Sequence, residues 1–276
     1  GRAQPLHNLA VVLDQLPEAD EQATIARLTG QYKETPPHQL ASQMLNEERK
    51  ILDEMARAFT NDSPDQIKQI EALARRQKDN TDIWIPLKGK LMEAVQKEGA
   101  QDPDIQKKMA SLQQGIEATR DRMRATARNL RDLDPSSYDS ARGVEAATYQ
   151  FWKGIAPYQP LLQEDILLQT NAIVRNMQSD KGVSRALRPE QDEALSLTRL
   201  FIERFTREVP ESGGTPQNLI PGKTPPPAGA STNAPGPDAQ PGITPETRKQ
   251  ILALADQAIT AQQAATNDLA QGKSAE

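Results

Sequence analysis

The chain has 276 residues, enough for one large domain or two ordinary ones. Hydrophobic residues make up 36% of it and aromatic residues 4%, which nearly excludes a β-sandwich or β-barrel rich in Val, Ile, Tyr and Phe. The net charge of −5 argues against a general nucleic-acid binder. The absence of cysteine excludes disulfides, thiolate metal ligands and a cysteine nucleophile.

No apolar run approaches the roughly 20 residues that a membrane-spanning helix needs. The longest near the start is Leu9–Leu13. The first residue is Gly1 rather than Met, which is expected of a processed product, of an excised segment or of a chain that carries a tag scar; removal of a signal or an anchor is compatible with this start. An extracytoplasmic location, such as a bacterial periplasm or cell envelope, is favoured over the cytoplasm.

Prolines followed by an acidic residue mark four predicted helix starts. Proline there lacks only an N–H that would have no partner, and the acid complements the helix dipole. The four are Pro64, Pro103, Pro189 and Pro245. Apolar residues recur every three or four positions up to about residue 209, which predicts helix throughout this region. The first 33 residues predict two shorter helices broken at Pro17.

Apolar stripes along these helices indicate which sides face inward. Two early stripes comprise Leu40, Met44, Ile51, Met55 and Phe59, and then Ile67, Ile70 and Ala74. The longest comprises Met109, Leu112, Ile116, Thr119, Met123, Thr126, Leu130 and Leu133. Its regular 3-4 spacing resembles a coiled-coil seam, but the two threonines favour packing inside a bundle. Two later stripes comprise Leu162, Ile166, Ile173 and Met177, and Ala194, Leu197, Phe201 and Phe205. The last is widened by further apolar residues, so its helix is predicted to be central.

Arginines crowd the polar side of the longest predicted helix. They are Arg120, Arg122, Arg124, Arg128 and Arg131. Such a ridge suits nucleic acid or anionic lipid. Acidic residues are interleaved with it, however, and no aromatic residue on this helix offers a stacking surface. A solvated face with local ion pairs is the favoured interpretation, and we expect no nucleic-acid partner.

Half of the ten aromatic residues fall within residues 138–158. We select Tyr149, Phe151, Trp152 and Tyr158 as candidate binding residues, because Gly154, Pro157 and Pro160 then break the helix. A break lined by aromatic side chains can open a pocket or present a contact surface. The alternative is that Phe151 and Trp152 fill the core beside the break, and this alternative is favoured.

Ten of the 21 prolines lie between Pro210 and Pro245. This composition predicts a disordered linker over 210–243 between a helical bundle at 1–209 and a tethered helix within 244–276. That helix carries a thin apolar stripe, and a single helix of this size is marginal alone. We therefore expect it to bind its own bundle, a second copy or a partner through Ile251, Leu252, Ala255 and Ile259.

Groupings that could carry catalysis or hold a metal are absent from the sequence. His7 and His38 are the only histidines, and neither has the Glu-x-x-His spacing of a di-iron bundle. No nucleophile elbow is present. Adjacent acidic pairs such as Glu47-Glu48 and Glu164-Asp165 are predicted to be solvated surface. We expect no catalytic residues, no metal and no cofactor.

The sequence thus predicts an all-α protein, an elongated multi-helix bundle followed by a Pro-rich linker and a C-terminal helix. The expected function is that of a non-enzymatic scaffold or adaptor, which binds protein partners or itself through the bundle surface and the tethered helix. The alternative is a helical ligand-binding or sensory module, with its pocket at the aromatic break around residues 149–160.

Overall fold

The structure, a computed structural model, describes residues 22–60, 65–99, 103–134, 136–178, 187–211 and 243–271. Within these segments the fold is all-α, as predicted, and no β-strand is formed. Residues 22–31 are helical. The helices that follow are α1 (Pro37–Thr60), α2 (Gln66–Asp82), α3 (Trp84–Gly99), α4 (Pro103–Arg131), α5 (Ser137–Ile155), α6 (Tyr158–Gln178), α7 (Arg188–Glu208) and α8 (Pro245–Gln271).

Contacts divide the chain into two units, and the first is Gly1–Gly154. In it α2 packs against α1 and α4, and α3 packs against the same two helices. The predicted stripe on α1 is confirmed, because its first four members are fully buried. Ile67 departs from the prediction with 57% exposure. It lies in the first turn of α2, to one side of the inward face that Ile70, Leu73 and Gln77 form.

The seam predicted on α4 is buried from Ile116 to Leu130. Its two threonines cost little there, because the Thr119 hydroxyl donates to the Gly115 carbonyl and the Thr126 hydroxyl to the Arg122 carbonyl. Leu133 was expected in the seam, but it is 44% exposed. The helix ends at Arg131, and Leu133 takes a left-handed φ of 55°, which turns the chain away from the seam. Met109 lies where no side chain is described.

The second unit is Ile155–Glu276. Its helix α7 packs against both α6 and α8, which confirms the prediction of a central helix. Phe201 and Phe205 stack on each other in its core, with ring centroids 5.5 Å apart, and both are almost fully buried. The C-terminal helix α8 therefore docks on its own chain in this structure.

Composition and contacts divide the chain at different places. The Pro-rich stretch suggests a boundary after residue 209, whereas the contacts divide the chain after Gly154 and assign α6, α7 and α8 to one unit. Residues 212–242 of the predicted linker lie outside the described segments. In those segments, no helix combines the length and the apolar character that a membrane span requires.

Glu48 corrects the prediction of a solvated Glu47-Glu48 pair, because its side chain is 1% exposed in the interior of the first unit. One carboxylate oxygen accepts hydrogen bonds from the Gln77 amide at 2.7 Å and from the Asn80 amide at 2.6 Å. The other oxygen has no hydrogen-bond partner among the described residues. Burial raises the pKa of Glu48 to about 7, although the two amide hydrogen bonds oppose this.

Glu48→Gln is expected to stabilise the protein more at pH 8 than at pH 5, by about 2–3 kcal/mol. The raised pKa means that folding is favoured while the carboxyl is protonated, and that this stability is lost as the pH rises through about 7. Glutamine stays neutral and keeps the oxygen that accepts both amide bonds. Urea unfolding at the two pH values measures the difference.

The matched control is Glu71→Gln, which changes an exposed glutamate ion-paired with Arg75 at 3.6 Å. A pair of this kind contributes less than about 1 kcal/mol, so the control should differ little between the two pH values. Equal effects of the two substitutions would contradict the assignment of the pH dependence to Glu48.

Candidate functional site

Three of the four candidate aromatic residues lie on α5 in the first unit. The Phe151 and Trp84 rings make an edge-to-face contact with centroids 4.7 Å apart, and Tyr149 stacks on Trp152 at 5.8 Å. Trp152 is 4% exposed, and Tyr149 and Phe151 are half-buried. The Arg49 guanidinium lies 5.6 Å from the centre of the Tyr149 ring and makes a cation–π contact with it. The contacts of Phe151 and Trp152 are those of core packing, and their use in binding stays a prediction.

Tyr158 lies in the second unit, as the first residue of α6. Its ring packs edge-on against Phe201 at 6.1 Å and against Phe205 at 5.2 Å. Its backbone N–H donates to the buried Glu208 carboxylate at 3.3 Å. The predicted helix break is present between the end of α5 at Ile155 and Tyr158. The four candidate residues are thus distributed over two units.

The four candidate residues on α8 are partly or fully withdrawn from solvent. Ala255 is buried, and Ile251, Leu252 and Ile259 are half-buried. Polar contacts also hold the helix: the buried Arg248 guanidinium donates to the carbonyl of Val209 at 3.0 Å. Arg248 therefore fastens the start of α8 to the end of α7.

Asp165 is the buried polar centre of the second unit, with 3% exposure, so the prediction of a solvated Glu164-Asp165 pair is wrong for this residue. The Thr198 hydroxyl on α7 donates to its carboxylate at 2.5 Å, and the Gln262 amide on α8 donates at 3.4 Å. A third donor, the Gln169 amide, donates at 2.7 Å. One carboxylate thereby links α6, α7 and α8, the three helices described in this unit.

The opposite side of α6 is a broad apolar surface. Leu162, Ile166, Ile173 and Met177 were predicted to face inward, but their exposed fractions are 37%, 56%, 59% and 82%. Leu167 and Val174 are also exposed. These six residues, with Thr170 between them, are called the α6 apolar face below. Six of the ten large apolar side chains that are exposed among the described residues lie on this one helix.

There is a physical reason why this stripe faces outward instead of inward. The inward side of α6 carries Tyr158 and Leu161, but it also carries Asp165, and a charge makes a helix face appear polar in sequence. In the structure Thr198 and Gln262 satisfy that charge, so the side with the carboxylate is buried. The continuous apolar side is left exposed.

The described residues hold no group of three or more His, Asp or Glu side chains arranged to bind a metal ion. The chain matches no protein-family description, and comparisons with curated proteins and with solved structures found no match either.

Gln262→Ala is expected to weaken the docking of α8 by about 1–3 kcal/mol, because it leaves the buried Asp165 carboxylate without one of its hydrogen-bond donors. Hydrogen exchange of α8 peptides, followed by mass spectrometry, should show faster exchange. The control is Gln263→Ala, which changes the exposed neighbour of the same type. Equal exchange in the two variants would contradict a role for Gln262 in holding the helix.

Proposed function

We propose that this chain is a helical interaction protein that pairs with a second copy of itself through the α6 apolar face. The sequence leads us to expect no enzymatic activity. The observation that carries the proposal is the exposure of six large apolar side chains on one side of a helix whose other side is packed. Exposed apolar surface of this extent is typical of a contact site.

The size of the face supports a stable contact. Taking about 200 Å² as the full surface of a large aliphatic residue, the exposed fractions give roughly 650 Å², slightly more than the largest apolar patch on an ordinary monomer. Thr170 within the face, and the exposed Gln159 and Gln163 at its N-terminal end, add polar surface. Together they approach the roughly 800 Å² that each partner buries in a standard protein interface.

The face carries no charge, which supports burial in a contact. At 100° per residue, Leu162, Ile166, Thr170, Ile173 and Met177 fall within about 80° of one another, and Leu167 and Val174 widen the face to about 140°. The charged residues of α6 are Glu164, Asp165 and Arg175, and all three lie outside this sector. The Thr170 hydroxyl donates to the Ile166 carbonyl at 2.7 Å, so its burial leaves no donor unpaired.

A second copy is the partner whose surface matches best. The other large exposed apolar side chains among the described residues are isolated from one another in sequence: they are Ile25, Ile67, Leu133 and Leu254. A two-fold pair brings the same patch of both copies together, and an uncharged face can do so without like-charge repulsion. The docking of α8 on α7 supports a role for α8 in stabilising the unit that presents this face, beside the recruiting role expected from the sequence.

Thr170→Cys is expected to form a disulfide-linked dimer when the protein is oxidised. Thr170 is exposed and lies midway between Leu162 and Met177, so in a two-fold pair it lies close to its own counterpart. The chain contains no other cysteine, so any disulfide must join two copies. Non-reducing electrophoresis across a dilution series measures the yield.

The matched control is Thr60→Cys. Thr60 is also an exposed helical threonine, and its hydroxyl donates to the Ala56 carbonyl at 2.9 Å. It should give only the slow cross-linking of random collisions. Equal yields from the two cysteines would contradict pairing through the α6 apolar face.

Ile173→Glu, introduced into the Thr170→Cys chain, is expected to lower the cross-linking yield at least about tenfold, because the pair would have to bury two unpaired carboxylates. Ile67→Glu is the control, since Ile67 has nearly the same exposure at 57% but lies on α2. It should leave the yield unchanged. A loss of cross-linking in both variants would assign the effect to net charge instead of to this face.

A further inference from the structure

We propose that a basic groove in the first unit binds a compact anion that carries several phosphate groups and no aromatic base. The groove lies between α2 and α4 and has a volume of about 480 Å³. Lys78 of α2 lines it, together with Arg120, Arg124, Arg128 and Arg131 of α4. Asp82 is the carboxylate among the described lining residues. This proposal is independent of the pairing through α6.

The four arginines form one continuous row. Their spacing of four, four and three residues places them within about 80° of one another on α4, along about 16 Å of the helix. The remaining arginine of this region, Arg122, projects elsewhere on the helix and is not part of the groove. A row of guanidinium groups beside a lysine suits a ligand with several negatively charged oxygens, because guanidinium can bind phosphate through two parallel hydrogen bonds.

The carboxylates near the groove are too few to neutralise it. Glu117 lies 3.9 Å from Arg120 and also pairs with Lys88. Asp121 lies 3.8 Å from Arg124 but is largely exposed. Both distances are long for an ion pair, and both carboxylates are partly or largely exposed, so solvent weakens their attraction to the arginines.

The other three cations of the groove have fewer carboxylates near them. Lys78, Arg128 and Arg131 have no carboxylate within ion-pairing distance among the described residues. Asp82 faces the groove from α2: burial raises its pKa, while Lys78, Arg120 and Arg124 act in the opposite direction. One carboxylate thus faces five cations.

The helix dipole accounts for only part of this arrangement. Arg128 and Arg131 lie in the last turn of α4, where a cation gains about 0.3–1 kcal/mol from the helix terminus. Arg124 and Arg120 lie about two and three turns before the end of the helix, and Lys78 belongs to another helix. The Arg120 guanidinium also has a donor to offer to a ligand. Its side chain is 16% exposed, and its Nε has no hydrogen-bond partner among the described residues.

The composition of the groove favours phosphate over a nucleobase. Its remaining described lining residues are Thr24, Thr81, Ile85 and Ala127, and none of these can stack on a base. Proteins that bind single-stranded nucleic acid combine a basic groove with aromatic stacking residues. The volume lies in the range of pockets for small molecules.

The test is titration calorimetry of the full chain with sodium triphosphate as the probe, at low ionic strength. We expect saturable binding that weakens as salt is added. The variant Arg128→Gln/Arg131→Gln should bind at least about tenfold more weakly, since it removes two charge-assisted contacts. Lys78→Gln, on the facing helix, should also weaken binding.

The matched control is Arg122→Gln/Arg142→Gln, which removes two exposed arginines outside the groove and changes the net charge equally. It should retain the affinity of the unmodified chain. Circular dichroism establishes that each variant is folded, which we expect because Arg128 and Arg131 are exposed.

Three results would overturn the proposal. These are the absence of triphosphate binding to the unmodified chain, an equal loss in the groove and control variants, and tighter binding of a single-stranded oligonucleotide than of triphosphate at the same ionic strength. The last result would identify the basic groove as a nucleic-acid-binding surface.

Discussion

The Asp165 carboxylate determines which side of α6 faces inward. It accepts hydrogen bonds from Thr198 on α7 and Gln262 on α8, so a single buried charge is shared by three helices. Turning α6 so that its apolar side faced α7 would break these bonds and leave Thr198 and Gln262 in the interior without their partner. Because unpaired buried polar groups cost more than exposed apolar groups, the polar contact fixes the orientation.

The exposed face of α6 follows from that constraint. A helix with one side held by a hydrogen-bonded carboxylate presents its other side outward, and on α6 that side is aliphatic and uncharged. Burial of this surface against a second copy removes apolar area from water without removing any charge. The surface that we propose for function is therefore a consequence of the polar contact that organises the second unit.

Much of the fold is predictable from local pattern. The fully buried stripe from Leu40 to Met55 has regular helical spacing, and the wide apolar face around Phe201 correctly indicated a central helix. The burial of Glu48 and Asp165 is not predictable in this way, because their partners on other helices are 29 to 97 residues away in sequence. The same limit applies to the basic groove: the arginine row is visible in the sequence, but only the fold places Lys78 and Asp82 opposite it.

Sedimentation equilibrium of the unmodified full chain is the most direct test of pairing through the α6 apolar face. We expect a mass that rises with concentration from 30.4 kDa toward twice that value, and a fit to a reversible monomer–dimer equilibrium. A mass of 30.4 kDa at every concentration up to the millimolar range would contradict pairing through the α6 apolar face.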